Sequence, residues 1–165
     1  FIDGVWTAPR TLNPDGWKIN GCPTEGPSIA TSGSHVAIAW LTRAGGEAKL
    51  QLSFSANDGA EFARPVRIDN GNPLGRPMIT PLDSQSYLLA WVEKTTGGNA
   101  DVRIRLAFRD GRLGQSLTIA SVAAGRGVGF PKIAITGGRI LVAWRDDRVR
   151  VSLLSKQEII SQEVK

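Results

Sequence analysis

The sequence predicts an all-β chain built from three copies of one four-strand unit, and two independent sets of markers predict it. Trp40, Trp91 and Trp144 sit in near-identical frames, Ile38-Ala39-Trp40, Leu89-Ala90-Trp91 and Val142-Ala143-Trp144, spaced 51 and 53 residues apart. Upstream of each comes a Gly/Pro mark, at Gly26-Pro27, Gly75-Arg76-Pro77 and Gly129-Phe130-Pro131, with the prolines 50 and 54 residues apart. Two markers sharing one period establish an internal repeat, which governs every later assignment. No segment carries a 3.6-residue apolar period long enough for a core helix.

Each unit divides into four short apolar runs separated by Gly, Asn and Asp clusters. The expected strands are 28–30, 35–42, 48–55 and 66–69 in the first unit and 78–80, 86–93, 101–109 and 117–120 in the second. In the third they are 132–136, 139–145, 149–154 and 159–164. Runs such as Tyr87-Leu88-Leu89-Ala90-Trp91 are apolar at consecutive positions, as expected of strands covered on both faces.

Four strands in about fifty residues make one blade of a β-propeller. The Gly-His and Trp-Asp marks of WD40 repeats are absent, and no Gly-Gly pair is followed by the Tyr and Trp spacing of kelch repeats. Trp6-Thr7-Ala8-Pro9-Arg10-Thr11-Leu12 is echoed by Phe62-Ala63-Arg64-Pro65-Val66-Arg67-Ile68, as aromatic-x-x-Pro-x-x-aliphatic. The phase of that echo makes 1–12 the last strand of a preceding blade. The blades then run over 13–70, 71–120 and 121–165, a partial propeller of three four-stranded blades plus one outer strand. Such an arc leaves two blade faces and a strand edge uncovered, so further blades or a second copy are expected to cover them.

Ser55-Ala56-Asn57-Asp58-Gly59-Ala60-Glu61-Phe62 resembles the Asp box, Ser-x-Asp-x-Gly-x-x-Trp, with Asn57 for the Asp and Phe62 for the Trp. Its mechanics are those of a hairpin turn. A short polar side chain bonds turn amides, Gly59 takes a left-handed conformation, and the aromatic pins the turn to its sheet. The second unit keeps only Asp110-Gly111. With 15–23, Gly26-Pro27-Ser28-Ile29-Ala30, 69–76 and Gly129-Phe130-Pro131, the chain is similar over nearly its whole length to exported bacterial sialidase-like Asp-box (BNR) repeat proteins. That resemblance implies an exported parent propeller of about six blades, with further cysteines in its first half.

Bulk properties narrow the function classes. Net charge is +5 over 165 residues, carried mostly by arginines scattered through all three units, without a basic run or an RNA-binding signature. Nucleic acid is therefore not an expected partner. No run approaches the roughly 18 apolar residues of a membrane helix, and the first six residues lack the basic and apolar regions of a signal peptide. Cys22 is the one cysteine and His35 the one histidine, so neither a disulfide within these residues nor a zinc site is expected, and no cofactor is implied. Cys22 reads either as a buried, unreactive thiol or as the partner of a cysteine elsewhere in the parent.

Function is expected on the long loops that lead into each first strand, 13–26, 70–76 and 121–130, because they converge on the channel mouth of a propeller. Trp17, Glu25, Asp69, Arg76 and Arg126 lie there, and the turns after the second strands add Arg43, Glu93, Arg145 and Asp146. Arg76, Arg126, Glu25, Arg145 and Asp146 are the candidate ligand-binding residues. Arginine suits a carboxylate because its planar fork donates two parallel hydrogen bonds. The competing reading has Arg76 and Arg126 bracing the rim against Asp69 or Asp146.

Sialidases use an arginine triad, a Glu-activated Tyr nucleophile and an Asp acid/base. The one tyrosine here, Tyr87, aligns by repeat with Val36 and Ile140, which is a core slot. His35 aligns with Ser86 and Arg139 at strand starts and has no nucleophile to activate. The expectation is thus a repeat propeller that binds a ligand, an acidic glycan by the resemblance, with no complete catalytic set in the chain. An exo-α-sialidase completed by a missing N-terminal half and a protein-interaction scaffold are the alternatives.

Overall fold

A computed structural model describes residues 4–21, 25–125 and 128–161. Its strands form three antiparallel sheets in chain order, none of them closed. The first contains β1 (Ser28–Ser32), β2 (His35–Thr42), β3 (Lys49–Ser55) and β4 (Val66–Arg67), and the second β5 (Met78–Pro81), β6 (Ser86–Lys94), β7 (Asn99–Phe108) and β8 (Leu117–Ala123). The third holds β9 (Gly129–Thr136), β10 (Arg139–Arg145) and β11 (Val149–Ser155). Each sheet is a simple meander, and the three first strands, β1, β5 and β9, are neighbours.

Alternation along the strands decides how the sheets stack. In the first sheet Ala37, Ala39 and Leu52 point to one face and pack against Ile79, Leu89 and Trp91 of the second. The opposite face of the second sheet, with Leu88, Ala90 and Ile104, packs against Ile133, Ile140 and Val142 of the third. In the first two units, then, the alanine before the tryptophan faces the following sheet, and in the last two the tryptophan faces the preceding one. The central strand β6 is buried on both sides from Ser86 to Glu93, which explains its unbroken apolar run.

The structure departs from expectation at both ends. Residues 4–12, expected to be an outer strand, contain no strand beyond a single bridge position at Val5. A fourth strand expected over 159–164 is replaced, as far as Ser161, by the helix α1 (Lys156–Ser161); 162–165 lie outside the described residues. The cause is local. Ser155 and Glu158 form a capping box, with the Glu158 amide donating to Ser155 Oγ (3.1 Å) and the Ser155 amide donating to Glu158 Oε2 (2.8 Å). Hydrogen bonds from Ser155, first its amide, hold the Glu158 carboxyl below its ordinary value. Ile159 then drops into the core between the second and third sheets.

Lys156 locks α1 to the second sheet, donating to Leu82 O and pairing with Asp83 at 3.2 Å. Burial pushes the Asp83 carboxyl up, but bonds from the Gln85 amide, Ser86 and Lys156 outweigh it, so its pKa falls below 3.8. A carboxyl lowered by folding stabilises above its unfolded pKa and loses that contribution as pH drops through the folded one. Denaturant stability is therefore expected to decline as pH falls below about 4, and Asp83→Asn to flatten that decline. Unfolding curves at a series of pH values check both.

Candidate functional site

Buried acids hold the loops that lead into the second sheet. Asp69 accepts the Leu50 amide (2.7 Å), the Gly71 amide (2.8 Å) and the guanidinium of Arg67 (2.8 Å). Glu93, two residues past Trp91, accepts the amides of Asn70 (2.9 Å) and Asn72 (3.0 Å) and the Trp91 indole Nε1–H (2.8 Å). Its repeat equivalents are Thr42 and Asp146. Thr42 makes the matching tie to the first loop by donating to Asp15 Oδ2. In the third unit Asp146 instead accepts the Arg148 amide and pairs with Arg150 inside the β10–β11 turn. Hydrogen bonds to Asp147, the Arg148 amide and Arg150 hold the Asp146 carboxyl well below the usual carboxylate range. The Trp144 Nε1–H is left buried without a hydrogen-bond partner among the described residues.

On the side set by these loops the three Gly/Pro marks come together. A groove of about 660 Å³ is lined by Gly26, Pro27 and Ser28 from the first unit, Arg76, Pro77 and Met78 from the second, and Val128, Gly129, Phe130 and Lys132 from the third. Ser28 sews two of the three strand starts together, accepting the Ile79 amide at 3.1 Å. Among the described residues the groove's charged liners are Arg76 and Lys132, both exposed, and no acidic one lines it. Arg76 Cζ stands 4.7 Å from the centre of the Phe130 ring, a cation–π contact across 54 residues of chain.

Arg76 has φ of 44°, one of two described non-glycine residues in the left-handed region. Strain of that kind costs about 1–3 kcal/mol and persists where the surroundings impose it, often at functional sites. Here Gly75 leads into the turn beneath the Glu25 carboxyl, and a Cβ on Gly75 would stand 3.1 Å from Glu25 Cδ.

The candidate residues therefore divide. Arg76 lines the groove, Glu25 lies beside its approach and is 3.8 Å from Arg43. Arg145 borders it too: a Cβ on Gly129 would come within 2.8 Å of Arg145 Cβ, so only glycine allows β9 to start there. Asp146 is committed to its own turn. Arg126 and Cys22 lie outside the described residues. Neither Asp69 nor Asp146 pairs with Arg76, because Arg67 and Arg150 occupy them.

The turn at Ser55–Phe62 is held by its own side chains. Ser55 Oγ accepts the Gly59 amide (3.0 Å) and donates to Asn57 Oδ1 (2.9 Å), which accepts the Glu61 amide (2.9 Å). Gly59 has φ of 82°, and the Phe62 ring closes over it. Tyr87 is fully buried against Phe54, with its hydroxyl 3.4 Å from His35 O. Burial raises the Tyr87 pKa against the opposing pull of Arg109, which disfavours a phenolate nucleophile. His35 opens β2 beside Arg109 and Phe62.

Phe130 and Lys132 were not among the residues the sequence marked for the site. Phe130 appears there only as punctuation. Lys132 is detectable by repeat alignment, since it follows the marker proline as Ser28 and Met78 do in their units. A neighbouring cleft between the second and third sheets, about 550 Å³, shares Val128 and Phe130 with the groove and adds Lys94. Among the described residues no group of His, Cys, Asp and Glu is arranged to hold a metal ion, and no helix is long and apolar enough to cross a membrane. The chain matches no protein-family model and no curated protein.

Proposed function

We propose that the three sheets are successive blades of a sialidase-like repeat propeller of an exported protein, and that the groove at the Gly/Pro marks binds an acidic glycan by its carboxylate. The observation that carries this is Arg76 beside Lys132 in a groove that no acidic residue lines among those described. An anion entering it meets a two-pronged donor from Arg76 and a point charge from Lys132. Stacking on Phe130 and the strained backbone at Arg76 aim the guanidinium before the ligand arrives.

Arg76→Ala is expected to weaken binding of a sialylated oligosaccharide by about tenfold to a hundredfold, the worth of a charge-assisted bidentate pair. Arg126→Ala is expected to act in the same direction. Calorimetric titration against sialylated and neutral glycans measures both. Unchanged affinity in the two variants, or equal affinity for the neutral glycan, sinks the reading. A glycosidase reading has less support: the buried Tyr87 is unsuited to attack, so a nucleophile has to come from outside these residues.

A further inference from the structure

The groove at Arg76 and Lys132 adjoins two further hollows. Val128 and Phe130 wall both the groove and the cleft of about 550 Å³ between the second and third sheets. Lys94 and Thr95 in turn wall both that cleft and a third hollow of about 660 Å³, which Asn70, Asn72 and Thr96 also line. Each hollow alone falls in the range of about 300–1,000 Å³ that small-ligand sites occupy. A single sugar held by its carboxylate at Arg76 and Lys132 makes no use of the second.

The cleft suits a ring that is apolar on its face and polar at its rim. Leu74, Val128 and Phe130 give it apolar walls, and Thr95 and Asn99 add groups able to bond hydroxyls. Sugar C–H groups carry slight positive charge and pack well on the negative face of an aromatic ring. Lys94 supplies a full charge: it is exposed, and no acidic residue lines the cleft among those described. Glu93 borders the third hollow, but its carboxylate is committed to the Asn70 and Asn72 amides and the Trp91 indole. Backbone bonds fix these walls in place. The Leu74 amide donates to Val92 O, the Lys94 amide to Asn72 O and the Thr95 amide to Asn99 O, each at 2.9 Å, and the Ala124 amide to Gly98 O at 3.2 Å. A site fixed before its ligand arrives loses less entropy on binding.

We propose that the ligand is a chain of acidic sugars rather than a neutral glycan capped by one. The first carboxylate binds Arg76 and Lys132, and the next sugar sits past Phe130 in the cleft with its own carboxylate on Lys94. This rests on the carboxylate reading of the groove. A ligand with one acid group satisfies the cations of one hollow only, whereas acid groups on successive sugars satisfy both.

Calorimetric titration with three probes tests this: sialic acid, sialyllactose, whose second sugar is neutral, and α2,8-linked disialic acid. Disialic acid is expected to bind about tenfold more tightly than the other two, the worth of one added charge-assisted contact. Lys94→Gln is expected to erase that preference and, because Lys94 is exposed, to keep the wild-type circular dichroism. Equal affinity for disialic acid and sialyllactose, or a preference that survives in Lys94→Gln, overturns the proposal; the groove reading then stands if Arg76→Ala still weakens all three. If none of the three binds, or Arg76→Ala changes nothing, the groove reading falls and this one with it.

Discussion

Replacing Glu93 by alanine is expected to destabilise the chain by about 3–5 kcal/mol, the cost of removing one partner from a buried charged network. The carboxylate is buried and holds two loop amides and the Trp91 indole. Truncation strands the buried Trp91 Nε1–H, at about 1–3 kcal/mol alone. It also frees the loop that aims Arg76. In urea, with a slope of about 2 kcal/mol per molar, the midpoint should fall by about 1.5–2.5 M. Glu93→Gln retains one acceptor but turns an amide N–H₂ toward donors, so an intermediate loss is expected. A loss under about 1 kcal/mol for the alanine variant would show that water replaces the carboxylate and that the loop is anchored elsewhere.

Tyr87→Ala is expected to cost about 3–5 kcal/mol, as for other large aromatics removed from a packed core. Its ring fills the space between the first and second sheets against Phe54. Tyr87→Phe should cost about 1 kcal/mol or less, because the hydroxyl's hydrogen bond to His35 O is long, at 3.4 Å. The pair of variants separates packing from chemistry. If the parent protein hydrolyses sialosides, Tyr87→Phe leaves turnover unchanged, whereas a nucleophile replaced by phenylalanine abolishes it. Thermal unfolding and a fluorogenic sialoside assay provide the two readouts.

The strands were legible where period and turn chemistry agree. β2 and β10 fall on the expected ranges, and the turn at Ser55–Phe62 forms through bonds within seven residues, so local sequence suffices for it. The capping box at Ser155 and Glu158 was equally local, and Ser-x-x-Glu before Ile159 announces a helix start. Extending the repeat into a fourth strand overrode that signal. Glu25, Arg76 and Arg145 were singled out from their places beside the markers, and of these Arg76 lines the groove. Phe130 and Lys132 were not, because an aromatic and a lysine at strand starts look alike whether or not they face a shared groove.

By itself, the sequence determined the three-unit repeat, the four strands of each of the first two sheets and the core position of Tyr87. Each follows from spacing along the chain, since alternation assigns faces and turn residues set registers. Tertiary structure alone decided that Arg76 lies on Phe130, that Glu93 holds Asn70 and Asn72, and that Asp146 serves its own turn. Those outcomes depend on distances between atoms in different units. A one-methylene difference between Asp146 and Glu93, or the glycine that admits Arg145 beside β9, changes which partner is within reach without changing the pattern along the chain.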